Sequence, residues 1–157
     1  MATLWRLARE AYRELDGEGA RLYGGRWNST GRAVVYTSAT LSLAALELLV
    51  HVDPEELPDD LVALGIEVPA RAWDLGVRSG GLPEDWREVP NHPVCHRIGD
   101  QWLEAGAALV LRVPSAIVPQ EESVLLNPKH PDAAEVRVIS TEPFRFDRRL
   151  VEPGRNR

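Results

Sequence analysis

The chain has 157 residues, enough for one domain of ordinary size with its own hydrophobic core. Its hydrophobic fraction of 44% and charged fraction of 27% are typical of a globular protein and exclude a largely disordered one. The net charge of −6 argues against broad electrostatic capture of nucleic acid, which needs a basic surface. We expect a single domain over residues 1–157 that binds no nucleic acid directly, with residues 150–157 as a flexible tail.

Three features of the sequence bear on where the protein works. Cys95 is the single cysteine, so no intrachain disulfide can form, and a reducing compartment is compatible with this. The first ten residues carry charges where a signal peptide needs an apolar core. The longest apolar stretch, LSLAALELLV, includes Glu47 and is too short to cross a bilayer. We expect a cytoplasmic protein without a membrane segment.

Positive charge is concentrated near the N-terminus, although the chain as a whole is acidic. The first 32 residues contain six arginines, at positions 6, 9, 13, 21, 26 and 32, whereas acidic residues gather in VDPEELPDD and PEDWRE. This asymmetry favours one positively lined cleft, suited to a small anionic ligand.

The first half of the chain alternates short strands with one helix. LWRLA alternates apolar and polar residues and predicts a strand, and the glycine-rich segment 17–31 predicts a loop. AVVYTS, residues 33–38, is rich in β-branched residues and predicts a buried strand. A helix is expected to follow, with Thr40 as its N-cap and Asp53-Pro54 closing it.

The second half predicts further strands around one more helix. Strands are expected at 61–69, at 107–115, in SVLL, in EVRVIS and in FRFD. The segment 92–106 predicts a helix, with Gly106 at its stop position. Short strands with about two substantial helices indicate a mixed α+β fold and not a doubly wound one.

Glu47 is the first candidate for chemistry. On a helix it shares a face with Leu43, Ala44, Val50 and His51, so a carboxylate interrupts an apolar stripe. A carboxylate there must be paired, protonated or functional. Helix geometry alone leaves open whether Glu47 is a structural residue or a working one.

Three further side chains have both a structural and a functional interpretation. Arg26 follows Gly24-Gly25 and offers a rigid fork for phosphate or carboxylate, but a loop arginine also packs on an aromatic neighbour such as Trp27. Tyr36 suits either a core position or a ring that stacks on a flat ligand. Ser115, just beyond Pro114, suits either a turn cap or a ligand contact at a strand end.

Other catalytic patterns find little support in the sequence. GGRWN lacks both GxGxxG and a GK[ST] ending, and no GxSxG elbow surrounds a serine. The histidines show no HExxH and no accompanying cysteine pair, so we expect no metal site. They occupy positions 51, 92, 96 and 130.

Two long segments resemble the RES domain family, which is named for an arginine, a glutamate and a serine. They are GEGARLYGGRWNSTGRAVVYTSATLSLAALELLVH and IGDQWLEAGAALVLRVPSAIVPQEESVLLNPKHPD. The naming residues correspond to Arg26, Glu47 and Ser115, and Tyr36 falls on the family's tyrosine in the strand before the helix. The chain departs from the family at Ser123, where asparagine is usual; this puts a ligand role for position 123 in doubt, whereas Asn127 is available.

The resemblance implies a fold like that of ADP-ribosyltransferases, with an α+β core around a split, twisted sheet and a cleft for NAD+ as substrate. It implies the toxin of a bacterial toxin–antitoxin pair that consumes NAD+, without a metal. The expected partner is a helix-turn-helix (Xre-like) antitoxin that binds DNA and blocks the cleft. A homodimer within a larger complex is expected on the same ground.

The resemblance also assigns roles within that cleft. Glu47 would stabilise the positive charge that develops on the ribose, and Arg26 would hold a phosphate. Tyr36 would shape the nicotinamide pocket, and Ser115 would hydrogen-bond the ribose or the amide. Further ligand contacts are expected from Arg6, on a phosphate, and from Asn127.

Several functions compete at this point. The leading one is cleavage of the nicotinamide–ribose bond of NAD+, as a glycohydrolase using water or a phosphorylase using inorganic phosphate. The second is mono-ADP-ribosylation of a specific cytosolic protein. A non-enzymatic binding module is a third. A ribonuclease is disfavoured by the acidic balance and by the lack of a His/Lys catalytic pair.

Overall fold

Seven strands form one mixed sheet in the computed structural model, which describes residues 1–152. Their spatial order is β4-β5-β6-β2-β1-β3-β7; β4 and β5 are parallel and the other neighbours antiparallel. In chain order the strands are β1 (Ala2–Arg9), β2 (Val35–Ser38), β3 (Leu61–Val68), β4 (Val77–Arg78), β5 (Val110–Pro114), β6 (Glu122–Leu126) and β7 (Arg137–Pro143).

Five α-helices accompany the sheet in the described part of the chain, so the expected α+β fold is confirmed. None of them, within residues 1–152, has the length and apolar character needed to cross a bilayer. The helices are α1 (Glu18–Tyr23), α2 (Leu41–Leu49), α3 (Ala70–Asp74), α4 (Pro93–Ala105) and α5 (Arg148–Val151).

The sheet splits between β1 and β2. These two strands are joined by the single pair Trp5–Ser38, whereas β1 and β3 form a ladder over eight residue pairs. One half of the sheet is therefore β7-β3-β1, and the other is β2-β6-β5-β4. The split agrees with the expected architecture and brings the ends of β2, β5 and β6 close to α2.

Alternation along the strands distributes the core between the two faces of the sheet. The face that carries Leu4, Leu64 and Val124 forms the main apolar cluster. On the other face, α4 covers Leu111 and Leu125, and the helix α2 covers Leu7 and Ala63. The side chains under α4 and those under α2 form two separate apolar clusters.

The helix α2 forms as the sequence predicts. Thr40 has extended backbone angles, and its hydroxyl oxygen accepts a hydrogen bond from the amide of Leu43, as an N-cap does. The helix stops at Leu49, before the Asp53-Pro54 pair that was expected to close it. The predicted apolar face is also shorter than expected, because Val50 and His51 are exposed.

The segment 17–31 is not the uninterrupted loop that its glycines predict, because α1 forms within it. Gly17 and Gly24 have φ values of 69° and 71°, in the region that favours glycine, and they flank the helix rather than interrupt it. Arg21 and Glu18 form an ion pair one turn apart, which supports this short helix.

The strand expected in FRFD is wrong. The amide of Phe144 makes a last bond to the carbonyl of Leu61, the first residue of β3, so no partner strand continues beside residues 145–147. The rings of Phe144 and Phe146 instead meet edge to face, with centroids 5.1 Å apart. Both rings pack against the apolar cluster that α2 forms with Leu7 and Ala63. The expected tail at 150–157 begins inside α5, and its residues 153–157 lie outside the described residues.

Candidate functional site

The structure brings Glu47 and Ser115 into direct contact. Glu47 lies in the last turn of α2, and Ser115 is the first residue after β5. The Ser115 hydroxyl donates to Oε1 of Glu47 at 2.8 Å, and the Ser123 hydroxyl donates to the same oxygen at 3.4 Å. Within residues 1–152, Oε2 of Glu47 has no hydrogen-bond partner, so this half-buried carboxylate keeps one oxygen for a ligand.

Ser115 is 1% exposed, and its hydroxyl is fully used. Besides donating to Glu47, it accepts the amides of Ile117 and Val118, each at 3.1 Å. A hydroxyl has one donor and two acceptor sites, so this arrangement leaves no capacity for a ligand. Ser115 is thus both the turn cap that sequence reasoning allowed and the group that orients Glu47.

Ser123 reaches the site through strand register. It lies in β6, where it pairs with Val113 of β5 on one side and with Ser38, the last residue of β2, on the other. Val113 is two residues before Ser115. A ligand role is in doubt from the sequence, because serine replaces the asparagine that is usual in the family. No local signal marks Ser123, since its proximity to Glu47 depends on the pairing of three strands.

Arg26 lies in the loop after α1 and is held by Trp86. Its Nη1 donates to the carbonyl of Trp86 at 3.0 Å, and its guanidinium carbon is 5.9 Å from the centroid of that ring. The structure forms no ion pair between Arg26 and Glu47 within the described residues. The remaining N–H groups of this half-buried guanidinium have no protein acceptor in residues 1–152.

Tyr36 braces the Arg26 loop from the sheet. Its hydroxyl accepts the amide of Trp27 at 3.0 Å and donates to Oδ1 of Asn28 at 2.7 Å. Burial raises the pKa of this phenol and outweighs the hydrogen bond from the Trp27 amide, which lowers it. A Cβ at Gly25 would lie 2.7 Å from the Tyr36 hydroxyl, so only glycine fits there.

Asn28 is a buried organiser of the same loop, to which sequence reasoning gave no role. It is 0% exposed, and its Nδ2 lies within hydrogen-bond distance of three carbonyl oxygens, those of Ala20, Ser29 and Arg32. A buried amide must be satisfied in this way to avoid a desolvation penalty. Its position behind two glycines was the available signal, but the partners depend on the folded loop.

Arg6 lies at the split of the sheet. Its Nη1 donates to the carbonyl of Tyr36 at 3.1 Å, and its Nε is buried without a hydrogen-bond partner within residues 1–152. Burial lowers the pKa of Arg6, and nearby Asp16 partly opposes this effect. The structure does not bond Arg6 to Glu47, because Arg6 alternates with Trp5 and Leu7, whose side chains pack with α2.

Asn127 is separated from Glu47. It follows β6 at the end opposite Ser123, four residues away, or roughly 13 Å along a strand. Its Oδ1 accepts a hydrogen bond from the backbone amide of Lys129, and its backbone amide donates to the carbonyl of Leu109. The structure thus gives this buried side chain a turn to stabilise and places it outside the Glu47 cluster.

The histidines are engaged individually and do not converge. No group of three or more His, Cys, Asp or Glu side chains that could hold a metal occurs in the part of the chain described. The Nδ1 atoms of His92 and His130 accept the amides of Val94 and Asp132, respectively. His96 contacts the carbonyl of Gly25 at 2.8 Å.

Comparison with known proteins shows the family of this chain. The family model described as "RES domain" matches residues 3–147. The chain is 41% identical to "Toxin Res" of Photorhabdus laumondii, covering 95% of this chain and 97% of that protein. It is 36% identical to "Prs ADP-ribosylating toxin" of a Sphingobium species, covering 95% and 96%. The chain belongs to the RES domain family.

A solved structure shares the fold at low sequence identity. It is the crystal structure of the M. tuberculosis MbcT–MbcA toxin–antitoxin complex, with a TM-score of 0.71 and 16% identity. The match covers 91% of this chain and 84% of the matched chain. At this identity the likeness establishes the architecture.

Proposed function

We propose that this protein is the toxin of a toxin–antitoxin pair and that it cleaves the nicotinamide–ribose bond of NAD+. The observation that carries the proposal is Glu47, whose Oε1 is fixed by two serine hydroxyls while its Oε2 remains open. Relatives of nearly the same length are named toxins, and the Sphingobium relative is named an ADP-ribosylating toxin. Both facts support an enzyme that uses NAD+.

The chemistry needs a carboxylate in this position. When the bond between the ribose C1′ and the nicotinamide nitrogen breaks, its electron pair leaves with nicotinamide, which departs neutral. Positive charge then spreads over C1′ and the ring oxygen, as in glycoside hydrolysis. The fixed Glu47 carboxylate stabilises that charge, and water, inorganic phosphate or a protein side chain forms the new bond to C1′.

The arginines supply the complementary charge for the pyrophosphate. Arg26 keeps free N–H donors after its bond to Trp86 and serves as the main phosphate contact. Arg6, whose Nε has no hydrogen-bond partner in residues 1–152, is a second candidate for a phosphate contact. Tyr36 acts by fixing the Arg26 loop, and Ser115 acts through Glu47 rather than on the ligand.

The test is incubation of the purified chain, free of any partner, with NAD+ alone and with NAD+ plus inorganic phosphate. We expect nicotinamide release in at least one arm, with ADP-ribose or its 1-phosphate as the second product. Glu47→Gln is nearly isosteric, and we expect it to lose at least about a hundredfold in rate while keeping the fold. An intact NAD+ pool in both arms would leave transfer to a protein or a non-enzymatic binding module.

Transfer to a protein is the second candidate, and the name of the Sphingobium relative favours it. In that case nicotinamide release depends on an acceptor. Addition of a cytosolic lysate with NAD+ labelled in the adenosine moiety would then place label on a protein band. Labelling that requires both the lysate and Glu47 supports transfer, and release without any acceptor supports cleavage.

The proposed partner is an antitoxin, in keeping with the complex that shares the fold. We infer a helix-turn-helix protein that covers the Glu47 cleft, with a toxin homodimer in the assembly and the cytoplasm as the compartment. Co-expression with the neighbouring small reading frame tests this. Rescue of growth together with co-purification supports it, and rescue without any complex contradicts it.

A further inference from the structure

One face of α4 contacts the Arg26 loop at three points. His96, Gly99 and Asp100 are spaced i, i+3 and i+4, so they lie on the same side of the helix. They contact Gly25, Trp27 and Ser29, respectively. We call these three helix residues the α4 clamp. The contacted residues are every second residue of the loop, and two of them, Gly25 and Trp27, are the neighbours of Arg26 in the chain.

Asp100 makes the strongest of these contacts. Its Oδ1 accepts the amide of Ser29 at 2.9 Å, and its Oδ2 accepts the Ser29 hydroxyl at 2.6 Å. Hydrogen bonds to a carboxylate are shorter and stronger than those between neutral groups. Arg32 lies 3.7 Å from Oδ1 and completes the local charge balance. This arrangement fixes both the backbone and the side chain of Ser29.

His96 holds the other end of the loop. Its Nε2 is 2.8 Å from the carbonyl oxygen of Gly25. A carbonyl oxygen only accepts, so Nε2 carries the proton and donates. Gly25 is also bonded to Asn28 through both backbone groups, which closes a tight turn around Arg26 and Trp27.

Gly99 allows the helix to approach this turn. A Cβ at this position would overlap the carbonyl oxygen of Trp27, and the neighbouring carbonyl carbon would be only 2.7 Å away. Helix and loop therefore touch backbone to backbone. The indole of Trp27 packs in the adjacent core, 3% exposed and 6.0 Å from the Trp86 ring.

We propose that the α4 clamp positions Arg26 for its ligand, with His96 and Asp100 as positioning residues. The catalytic consequence rests on the proposed function of Arg26. The guanidinium is held by Trp86, whereas the Cα of Arg26 is placed by the turn, which the α4 clamp fixes from one side and Tyr36 braces from the sheet. A misplacement of a substrate-positioning group by about 1 Å is enough to lower the rate about a hundredfold. The α4 clamp therefore controls how well Arg26 binds the phosphate of the substrate, although the clamp itself does not touch the substrate.

The kinetic test pairs disruptive and conservative variants. We expect Asp100→Ala and His96→Ala to raise KM for NAD+ about tenfold or more with a smaller change in kcat. Asp100→Asn and His96→Gln, which keep an acceptor and a donor respectively, should recover most of the loss. Gln101→Ala, on the exposed side of the same helix, is the matched control and should behave as wild type.

A double-mutant cycle separates positioning from general loss of structure. If the clamp acts through Arg26, Asp100→Ala adds little to the loss already caused by Arg26→Ala. Fully additive losses in kcat/KM would overturn the proposal.

Hydrogen exchange tests the clamp independently of any activity. The Ser29 amide should exchange at least about tenfold faster in Asp100→Ala than in wild type, while Gln101→Ala leaves it unchanged. Unchanged exchange in Asp100→Ala would refute the clamp even if the enzyme proved active. If wild type leaves NAD+ intact, the proposed function fails, and this measurement still decides whether α4 fixes the loop.

Discussion

Glu47 and Ser115 are separated by 68 residues in the sequence, yet one hydrogen bond of 2.8 Å joins them. The resemblance to the RES family drew attention to both residues. It did not indicate that the Ser115 hydroxyl has no capacity left for a ligand. That property depends on the two amides of the following turn, which donate to the hydroxyl oxygen. The open oxygen, Oε2, follows from the same geometry.

Ser115→Ala tests this arrangement. The change removes the donor that orients Glu47, so we expect kcat for NAD+ cleavage to fall about tenfold or more with little change in KM. Steady-state kinetics measure this, and circular dichroism checks the fold. Ser42→Ala, on an exposed position of α2, is the control and should not alter kcat. An unchanged kcat in Ser115→Ala would contradict an orienting role.

Tyr36 and Cys95 predict how stability depends on pH. Burial is the main cause that raises the pKa of each group, so the folded state favours the neutral forms. Their contribution is complete below the unfolded pKa values, about 8.5 for cysteine and about 10 for tyrosine, and is lost as the pH rises above them. Lys129 is the chain's only lysine, so few other groups titrate in this range.

Urea unfolding at pH 7, 9 and 10.5 measures this dependence. We expect the free energy of unfolding of wild type to decline across the series. Tyr36→Phe should start lower, because it loses two hydrogen bonds, but should decline less between pH 9 and 10.5. Cys95→Ala should decline less between pH 7 and 9. Equal slopes in all three proteins would show that these groups do not carry the alkaline loss.

At the scale of elements, local signals were enough where one segment decides its own structure. Thr40 marks the start of α2 and Gly106 the end of α4, as the sequence predicts. Predictions failed where a partner decides. FRFD forms no strand because β3, which would be its neighbour, begins at Leu61 and offers it no partner. The glycines around α1 predict a loop from their number alone, but in the structure they flank a helix.

The contact between α4 and the Arg26 loop predicts a sharp contrast between two glycine substitutions. Gly99→Ala places a methyl group against the Trp27 backbone, and we expect a loss of about 1–3 kcal/mol or more in the free energy of unfolding. Gly19→Ala lies in α1 with open space around it and should be neutral or stabilising by up to about 1 kcal/mol. Denaturant unfolding of both variants measures the difference. A Gly99→Ala protein as stable as Gly19→Ala would contradict the close packing.

At the scale of the whole molecule, the split sheet explains why distant segments converge. β1 and β2 meet at one residue pair, and α2 lies across the side chains of β1 and β3 while its last turn reaches β5 and β6. The α+β class was predictable from the spacing of short strands. The strand order was not, because β6 inserts between β2 and β5 and thereby brings Ser123 to Glu47.

The candidate site separates its charges, in keeping with a dinucleotide substrate. Glu47 lies at the ends of β5 and β6, whereas Arg26 lies in the loop that Tyr36, Trp86 and α4 hold in place. The two groups are not paired with each other within residues 1–152, and under the proposed function each binds a different part of NAD+. Four of the six arginines clustered near the N-terminus form ion pairs with acidic residues, namely Arg9, Arg13, Arg21 and Arg32, so the positively lined cleft expected from this clustering depends on Arg6 and Arg26.

Quantification of nicotinamide released from NAD+ tests whether this protein cleaves NAD+ with Glu47. Purified wild type and Glu47→Gln are incubated with NAD+, with and without inorganic phosphate and with and without a cytosolic lysate. We expect release by wild type in at least one mixture without lysate and at least about a hundredfold less release by Glu47→Gln. Equal release by both proteins, or none by wild type under any of these conditions, would contradict it.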